Sequence, residues 1–409
     1  MRWKSKVGLI VVMMFTLLIV AACGGSEEAS GGSEDTKDTE DTKDTIKIGV
    51  LASVTGALES YGAQTQRGFE LGLDYATDGT MEVAGKKIEF IVKDTETDPT
   101  VARQAAISLL EDEEVDFLVG SSSSGDTLAV TPLAEEYEKI MVVEPAAADS
   151  ITGSEYNDYV FRTARNSSQD AAAAAAAVAG EGVTIATLAP DYSFGHDGAK
   201  AFIEAAEALG AELVLEEYAD QAATDFTANI QKVIESDPDF LYVVWAGANT
   251  PWNQIVDMRV QEQGIMVTTG VADIATLPSM APLVGMKGFT LYYHTLPDNE
   301  VNDWLVEEHQ KRFDGAVPDL FTAGGMSSAI SIIHALELTE GDTDTDLLIE
   351  TMEGMSFETP KGTMTFRAED HQALQEMYSV TLEEGDEYPV PVLERVLTPE
   401  ETAPPIMNQ

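Results

Sequence analysis

Hydrophobic and polar positions along most of the chain fall into one rhythm, a short β-branched apolar run followed by a segment with apolar residues at helical spacing. Residues 46–53, IKIGVLAS, are the first strand candidate, and residues 65–76 after them carry apolar or small residues at helical intervals. A strand over 87–94 comes next, then Asp98-Pro99, an N-capping side chain before a proline suited to the first helical position. The helix that follows, 100–114, sets Val101, Ala105 and Leu109 along one side. Short strands at 117–120 and 140–143 flank a helix at 127–138. The rhythm restarts at 183–188, with a helix over 197–209 closed by Gly210 and further strands at 213–218, 240–245, 266–270 and 288–293. Alternation of this kind predicts an α/β fold of parallel sheets with helices on both faces, and the break around Arg162–Ala179 predicts two doubly wound lobes. Ala171–Ala177, a strong helix former, is expected to open the first helix of the second lobe.

The beginning of the chain follows a different pattern. Arg2, Lys4 and Lys6 precede an apolar core, Val7–Val20, that is shorter than the roughly 20 apolar residues a spanning helix needs. It reads as a signal peptide over residues 1–22. The core ends in Val20-Ala21-Ala22-Cys23, small residues before the only cysteine, which matches the bacterial lipobox and predicts a diacylglycerol on the Cys23 thiol. With one cysteine no intrachain disulfide is possible, and zinc or thiol chemistry does not fit. Residues 23–45 hold Cys23 and a Gly/Ser/Asp/Glu/Thr/Lys segment without a large apolar side chain, expected to be a solvated tether.

The net charge of −49 repels nucleic acid and anionic headgroups, so no nucleic-acid partner is expected. An acidic surface of this strength fits a saline or alkaline exterior. From Ile46 onward about 360 residues remain, enough for two domains.

Ligands in open parallel sheets collect beyond the carboxyl ends of strands, where loops enter helix N-termini. The loop 54–62, VTGALESYG, offers Tyr61 as a flat apolar face with a polar tip. The loop 120–127, GSSSSGDT, nearly spells a phosphate loop, but Asp126 follows the second glycine where a lysine is needed, which excludes nucleotide binding. The row Ser122, Ser123 and Ser124 at a helix N-terminus suits a carboxylate or another compact polar group. Small residues Ala146, Ala147 and Ala148 in EPAAAD let backbone approach a ligand, and Tyr192 in PDYSFG could face the first lobe, whereas Phe194 reads as core. The 5 histidines show no metal-ligand spacing, and His334 reads as core on an apolar helix. The serine run is not a nucleophile elbow, and no enzyme class, metal or cofactor is expected.

Together IKIGVLASVTGALESYGAQTQRGFELGLD, VGSSSSGDTLAVTPLAEE, PDYSFG and FETPKGTMTFRAEDHQALQEMY resemble the branched-chain amino-acid-binding family of periplasmic proteins, receptors of ABC importers. The resemblance runs from Ile46 to the C-terminus. It implies a type I periplasmic-binding-protein fold, two Rossmann-like lobes joined by three crossovers around a ligand cleft. The lobes would comprise residues 46–163 with 295–370, and 164–294 with 371–409. The family pattern carries Tyr61 onto a side-chain pocket, Ser123 and Ser124 onto the carboxylate or amino-group contact, and Ala146 and Ala148 onto backbone contacts. It carries Tyr192 onto the second lobe's wall and Asp273 onto the acidic residue that pairs with an α-ammonium; Trp245, in the loop 245–249, is a further ligand-binding candidate. Ala148 and Ala248 stand where amino-acid binders have threonine and tyrosine. The resemblance implies an extracytoplasmic, lipid-anchored, monomeric receptor that delivers an amino acid to an ABC permease. The alternatives are a receptor for amides or aromatic acids, and a ligand-sensing module for a signalling partner.

Overall fold

The computed structural model describes residues 44–408 except Gln221 and Ala248. The signal peptide, Cys23 and nearly all of the tether expected from the sequence lie outside the described residues, as does Ala248.

The chain begins β1 (Thr45–Ala52), α1 (Glu59–Ala76), β2 (Glu82–Val83), β3 (Lys86–Asp94), α2 (Pro99–Glu111), β4 (Phe117–Gly120), α3 (Ser124–Glu136), β5 (Ile140–Val143) and β6 (Val160–Arg162). These strands form one sheet in the order β2-β3-β1-β4-β5-β6, parallel except for the hairpin strand β2. Side chains alternate between its faces as a pleated strand requires. Ile46, Ile48, Val50, Phe117 and Val119 join the core that includes Phe69 of α1, while Leu51 and Leu118 join the one with Leu109 of α2 and Leu133 of α3.

The second half repeats the design with α4 (Ser167–Val178), β7 (Thr184–Pro190), α5 (Ser193–Ala208), β8 (Glu212–Ala219), α6 (Thr227–Ser236), β9 (Phe240–Val243), α7 (Trp252–Asp257), β10 (Met266–Thr268) and β11 (Lys287–Thr290). Its parallel strands run β10-β9-β7-β8, and a bridge between Gly270 and Phe289 carries the sheet on to β11. The helix expected over Ala171–Ala177 is present as α4. Its N-cap is Asn166, whose side chain and that of Gln169 cap each other's backbone. α4 packs on α5 and β11.

The chain then returns to the first sheet with α8 (Glu300–Arg312), α9 (Thr322–Leu338), α10 (Thr345–Met352) and the small antiparallel sheet β12 (Ser356–Thr359), β13 (Gly362–Phe366) and β14 (Ala373–Leu374). α9 is buried along nearly its whole length and lies against α1. β15 (Met377–Glu383) and β16 (Val390–Leu397) pair back onto β11. The chain thus passes between the two sheets three times, after β6, β11 and β14.

The last boundary differs from the expected one at residue 370. β14 pairs with β13 and Gln372 bridges Arg162, so residues to Leu374 stay with the first sheet. The tail also returns there, where Arg367 donates to the Pro404 carbonyl and Asn408 to that of Glu369. Among the described residues no helix is long and apolar enough to cross a membrane.

Candidate functional site

In both sheets the first strand is flanked by the next two parallel strands in chain order, one on each side. β1 lies between β3 and β4, and β7 between β8 and β9. The loops leaving these central strands therefore diverge and open a crevice at their carboxyl ends. The two crevices face each other and form one cleft. Its two chambers enclose about 760 and about 280 Å3, open mouths included, and share Tyr61, Arg165, Phe194, Ala246 and Phe321.

Hydroxyl wiring shapes the floor of the smaller chamber. The Ser53 amide at the end of β1 donates to Ser122 Oγ at 3.1 Å, tying the β1 and β4 loops together. Ser124 Oγ accepts from the amides of Ala147 and Ala148 at 3.3 and 3.1 Å, tying β4 to β5. A serine hydroxyl has two acceptor lone pairs and one proton. With both lone pairs of Ser124 taken, its O–H is left to donate, and Ser122 and Ser124 both line the cleft. Ser124 is the first residue of α3, whose unpaired amides add partial positive charge at this spot. Deeper in the same turn, Asp126 is fully buried and neither carboxylate oxygen has a hydrogen-bond partner. Burial pushes its pKa up to about 6, offset only in part by the neighbouring Thr95 and Ser123 hydroxyls.

The cleft's cation is Arg165, buried in the first crossing segment and lining both chambers. Its guanidinium meets Asp170 at 3.2 and 3.1 Å and donates to the Pro145 carbonyl at 3.0 Å. A guanidinium has five N–H groups, so two remain after these contacts. Around it stand Tyr61, Tyr192, Phe194, Tyr242, Trp245, Trp252, Phe289 and Phe321, an aromatic wall interspersed with the hydroxyl residues Ser167, Thr250, Thr269, Thr276 and Thr290. Tyr61 packs on Phe321 with ring centroids 4.4 Å apart and accepts from the Gly247 amide of the second lobe at 3.1 Å. Burial, then the nearby Asp273 charge, pushes the Tyr61 phenol up to about 12, so it stays a neutral donor. Behind Arg165, burial raises Glu144 and lowers Lys361, each held back by the opposite charge of the other.

The structure brings together Tyr61, Ser122, Ser124, Ala146, Ala147, Tyr192 and Trp245 of the residues expected from the sequence. Ser123 and Ala148 sit behind the lining, the first preceding α3 and the second spending its carbonyl on Arg162 and its amide on Ser124. Asp273 is buried but does not line the cleft, because Ser60 Oγ at 2.6 Å and Gln64 Nε2 at 3.3 Å hold its carboxylate. Tyr61 lies in the first turn of α1 rather than in a loop. Phe194, expected in the core, is buried and also forms cleft wall. His334 is half-exposed beside Glu337, on the outer edge of α9, rather than in the core. Sequence reasoning missed Arg165, Asp170 and Phe321. The buried pair had a faint signal, an arginine and an aspartate enclosing a run of uncharged small and amide side chains, whereas Phe321 had none. Among the described residues no cluster of histidine, cysteine or carboxylate side chains could hold a metal ion.

Comparison with known proteins agrees with this geometry. A family model described as a periplasmic binding protein matches residues 45–387. Leu/Ile/Val-binding protein homolog 6 of Brucella abortus is 25% identical over 353 residues, covering 84% of this chain and 88% of its own. The crystal structure of an ABC-type branched-chain amino acid transporter from Rhodopseudomonas palustris is 46% identical with a TM-score of 0.79, over 89% of this chain and 100% of its own. A solute binding protein of an ABC transporter from the same species, in complex with 3,4-dihydroxybenzoic acid, is 28% identical with a TM-score of 0.77, over 87% and 98%.

Proposed function

The chain belongs to the periplasmic binding protein family, and from that premise we propose that it is an extracytoplasmic receptor that closes its lobes on a small carboxylate with an apolar body and hands it to an ABC importer. One observation carries the ligand class. The free O–H of Ser124, the α3 amides and Arg165 open onto a cleft whose largest walls are aromatic rings. Hydroxyl and guanidinium donors at a helix N-terminus hold a carboxylate, and the rings take an apolar body.

The body is an aromatic acid in the first reading. Asp273, the expected ammonium partner, is engaged by Ser60 and Gln64, and the one lining carboxylate, Asp170, is neutralised by Arg165. A relative in complex with a dihydroxybenzoic acid supports this. The second reading is a branched-chain amino acid, favoured by the name of the 46% identical structure. A thermal-shift screen of aromatic acids, aliphatic acids and amino acids separates the two, since a ligand that binds only the folded state raises the melting temperature. The proposed receptor has no catalytic role, acts as a monomer and is held to the membrane through a lipid on Cys23.

A further inference from the structure

Asp273 belongs to a polar cluster that joins the lobes just outside the cleft. It lies in the turn after β10, where its own carbonyl accepts from the amides of Thr276 and Leu277. Its carboxylate reaches across to α1 and accepts from Ser60 Oγ and Gln64 Nε2. The contact runs both ways. Asp319, in the segment leading into α9 of the first lobe, accepts the Ile274 amide at 3.1 and 3.2 Å while also capping Leu320 at 2.8 Å. Each lobe therefore supplies a carboxylate to donors of the other. Gln64 joins the halves by donating to Asp273 and to Ser60, and by accepting the Phe321 amide at 3.0 Å. Phe321 carries the Tyr61 ring, so the cluster connects to the cleft wall through one backbone bond.

We propose that Ser60, Gln64 and Asp319 of the first lobe, with Asp273 and the Ile274 amide of the second, form a latch that holds the lobes closed, and that Asp273 is a positioning residue for closure. The inference rests on the reading that the cleft closes on its ligand. Latch atoms touch only protein, so their contribution is the same for every ligand that needs the closed form. Losing the Asp273 bonds to Ser60 and Gln64 shifts the closed-to-open ratio by about ten-fold.

The test has a ligand-free arm and a ligand arm. Spin labels on one exposed position of each lobe of the full chain report the interlobe distance distribution by electron double resonance. Asp273→Asn and Asp319→Asn should each move population from the short to the long distance, and Ser60→Ala should do so less. Unchanged distributions in all three variants would overturn the latch whatever the ligand is. In the ligand arm, leucine, 4-methylpentanoate (leucine without its ammonium) and 4-hydroxybenzoate are titrated into parent and Asp273→Asn. Loss of a latch weakens every binder by the same factor, about ten-fold, mostly through faster release. Loss of leucine alone, with the des-amino acid unaffected, would make Asp273 an ammonium partner and overturn the proposal. If none of the probes binds the parent, the distance distributions decide it, and that result counts against the carboxylate reading instead.

Discussion

Gly247→Ala probes lobe closure at a lining position that offers the cleft only backbone. Gly247 sits in the loop after β9 with a φ of +78°, and its amide donates to Tyr61 across the cleft. A Cβ there would lie 2.6 Å from the Ala57 carbonyl oxygen and 2.6 Å from Leu58 Cδ2, both in the opposite lobe. The leucine methyl can turn away, but the backbone carbonyl cannot. The left-handed backbone costs an alanine about 1 kcal/mol in open and closed forms alike, so it lowers stability and leaves affinity unaltered. The clash exists only when the lobes are closed. Relieving it costs about 1–2 kcal/mol as overpacking, and retreat of the loop forfeits the Tyr61 bond, about 1 kcal/mol. Affinity should fall by about 2–3 kcal/mol, roughly 30- to 150-fold. Titration calorimetry with the best carboxylate from the screen measures this. Gly264→Ala is the control, because its φ is +93° with nothing within 4 Å of the added carbon, so it should lose similar stability and no affinity. A Gly247→Ala protein that binds within three-fold of the parent would show that this loop does not approach the first lobe in the bound form.

Arg165→Gln should cost about 2–5 kcal/mol of binding, because it removes the ligand's cation and strands Asp170. Adding Asp170→Asn should recover melting temperature but not affinity, and recovery of both would remove Arg165 from the site. Asp126 titrates near pH 6 when folded, above its ordinary value, so the native state binds its proton more tightly and stability falls as pH rises from about 4 to 6. Asp126→Asn should therefore be more stable than the parent at pH 7, by up to about 3 kcal/mol, and no more stable at pH 4. Denaturant melts at the two pH values check this, and a variant weaker at both would mean that the carboxylate is paired. Cys23→Ser should lose the lipid and leave the membrane fraction or remain uncut, and normal processing with retention in the membrane would contradict the anchor.

The strand rhythm was legible because parallel strands buried on both faces read as short, mostly apolar runs, and β1, β4, β5, β7 and β9 all do. Tyr61, Ser122, Ser124 and Tyr192 could be picked out because chain order alone places strand-to-helix loops at the crevice. Helix starts were misplaced for a local reason. Glu59–Gln64 and Ser124–Asp126 open their helices with serine and glycine, poor helix formers, and packing against β1 and β5 overrides that preference. Arg165 was unreadable as a site residue because a charge in a connecting segment ordinarily faces water, and only the Asp170 pair and the Pro145 carbonyl make its burial tolerable. Phe321 and Asp319 reach the cleft region only because α9 docks on α1 from far along the chain. Asp273 illustrates the opposite limit. Family pattern singled out the residue, but pattern cannot say which of two neighbours, ligand or facing helix, takes the carboxylate.

The central claim is that the cleft holds a carboxylate at the start of α3. The most direct measurement is a thermal-shift comparison of each acid that stabilises the protein with its own primary amide, which has the same shape and no charge. The account predicts that at least one acid with an apolar body raises the melting temperature by several degrees, and that its amide at equal concentration gives little or no shift. An amide that stabilises the protein as well as its acid, or a screen in which no carboxylate stabilises it, would contradict the account.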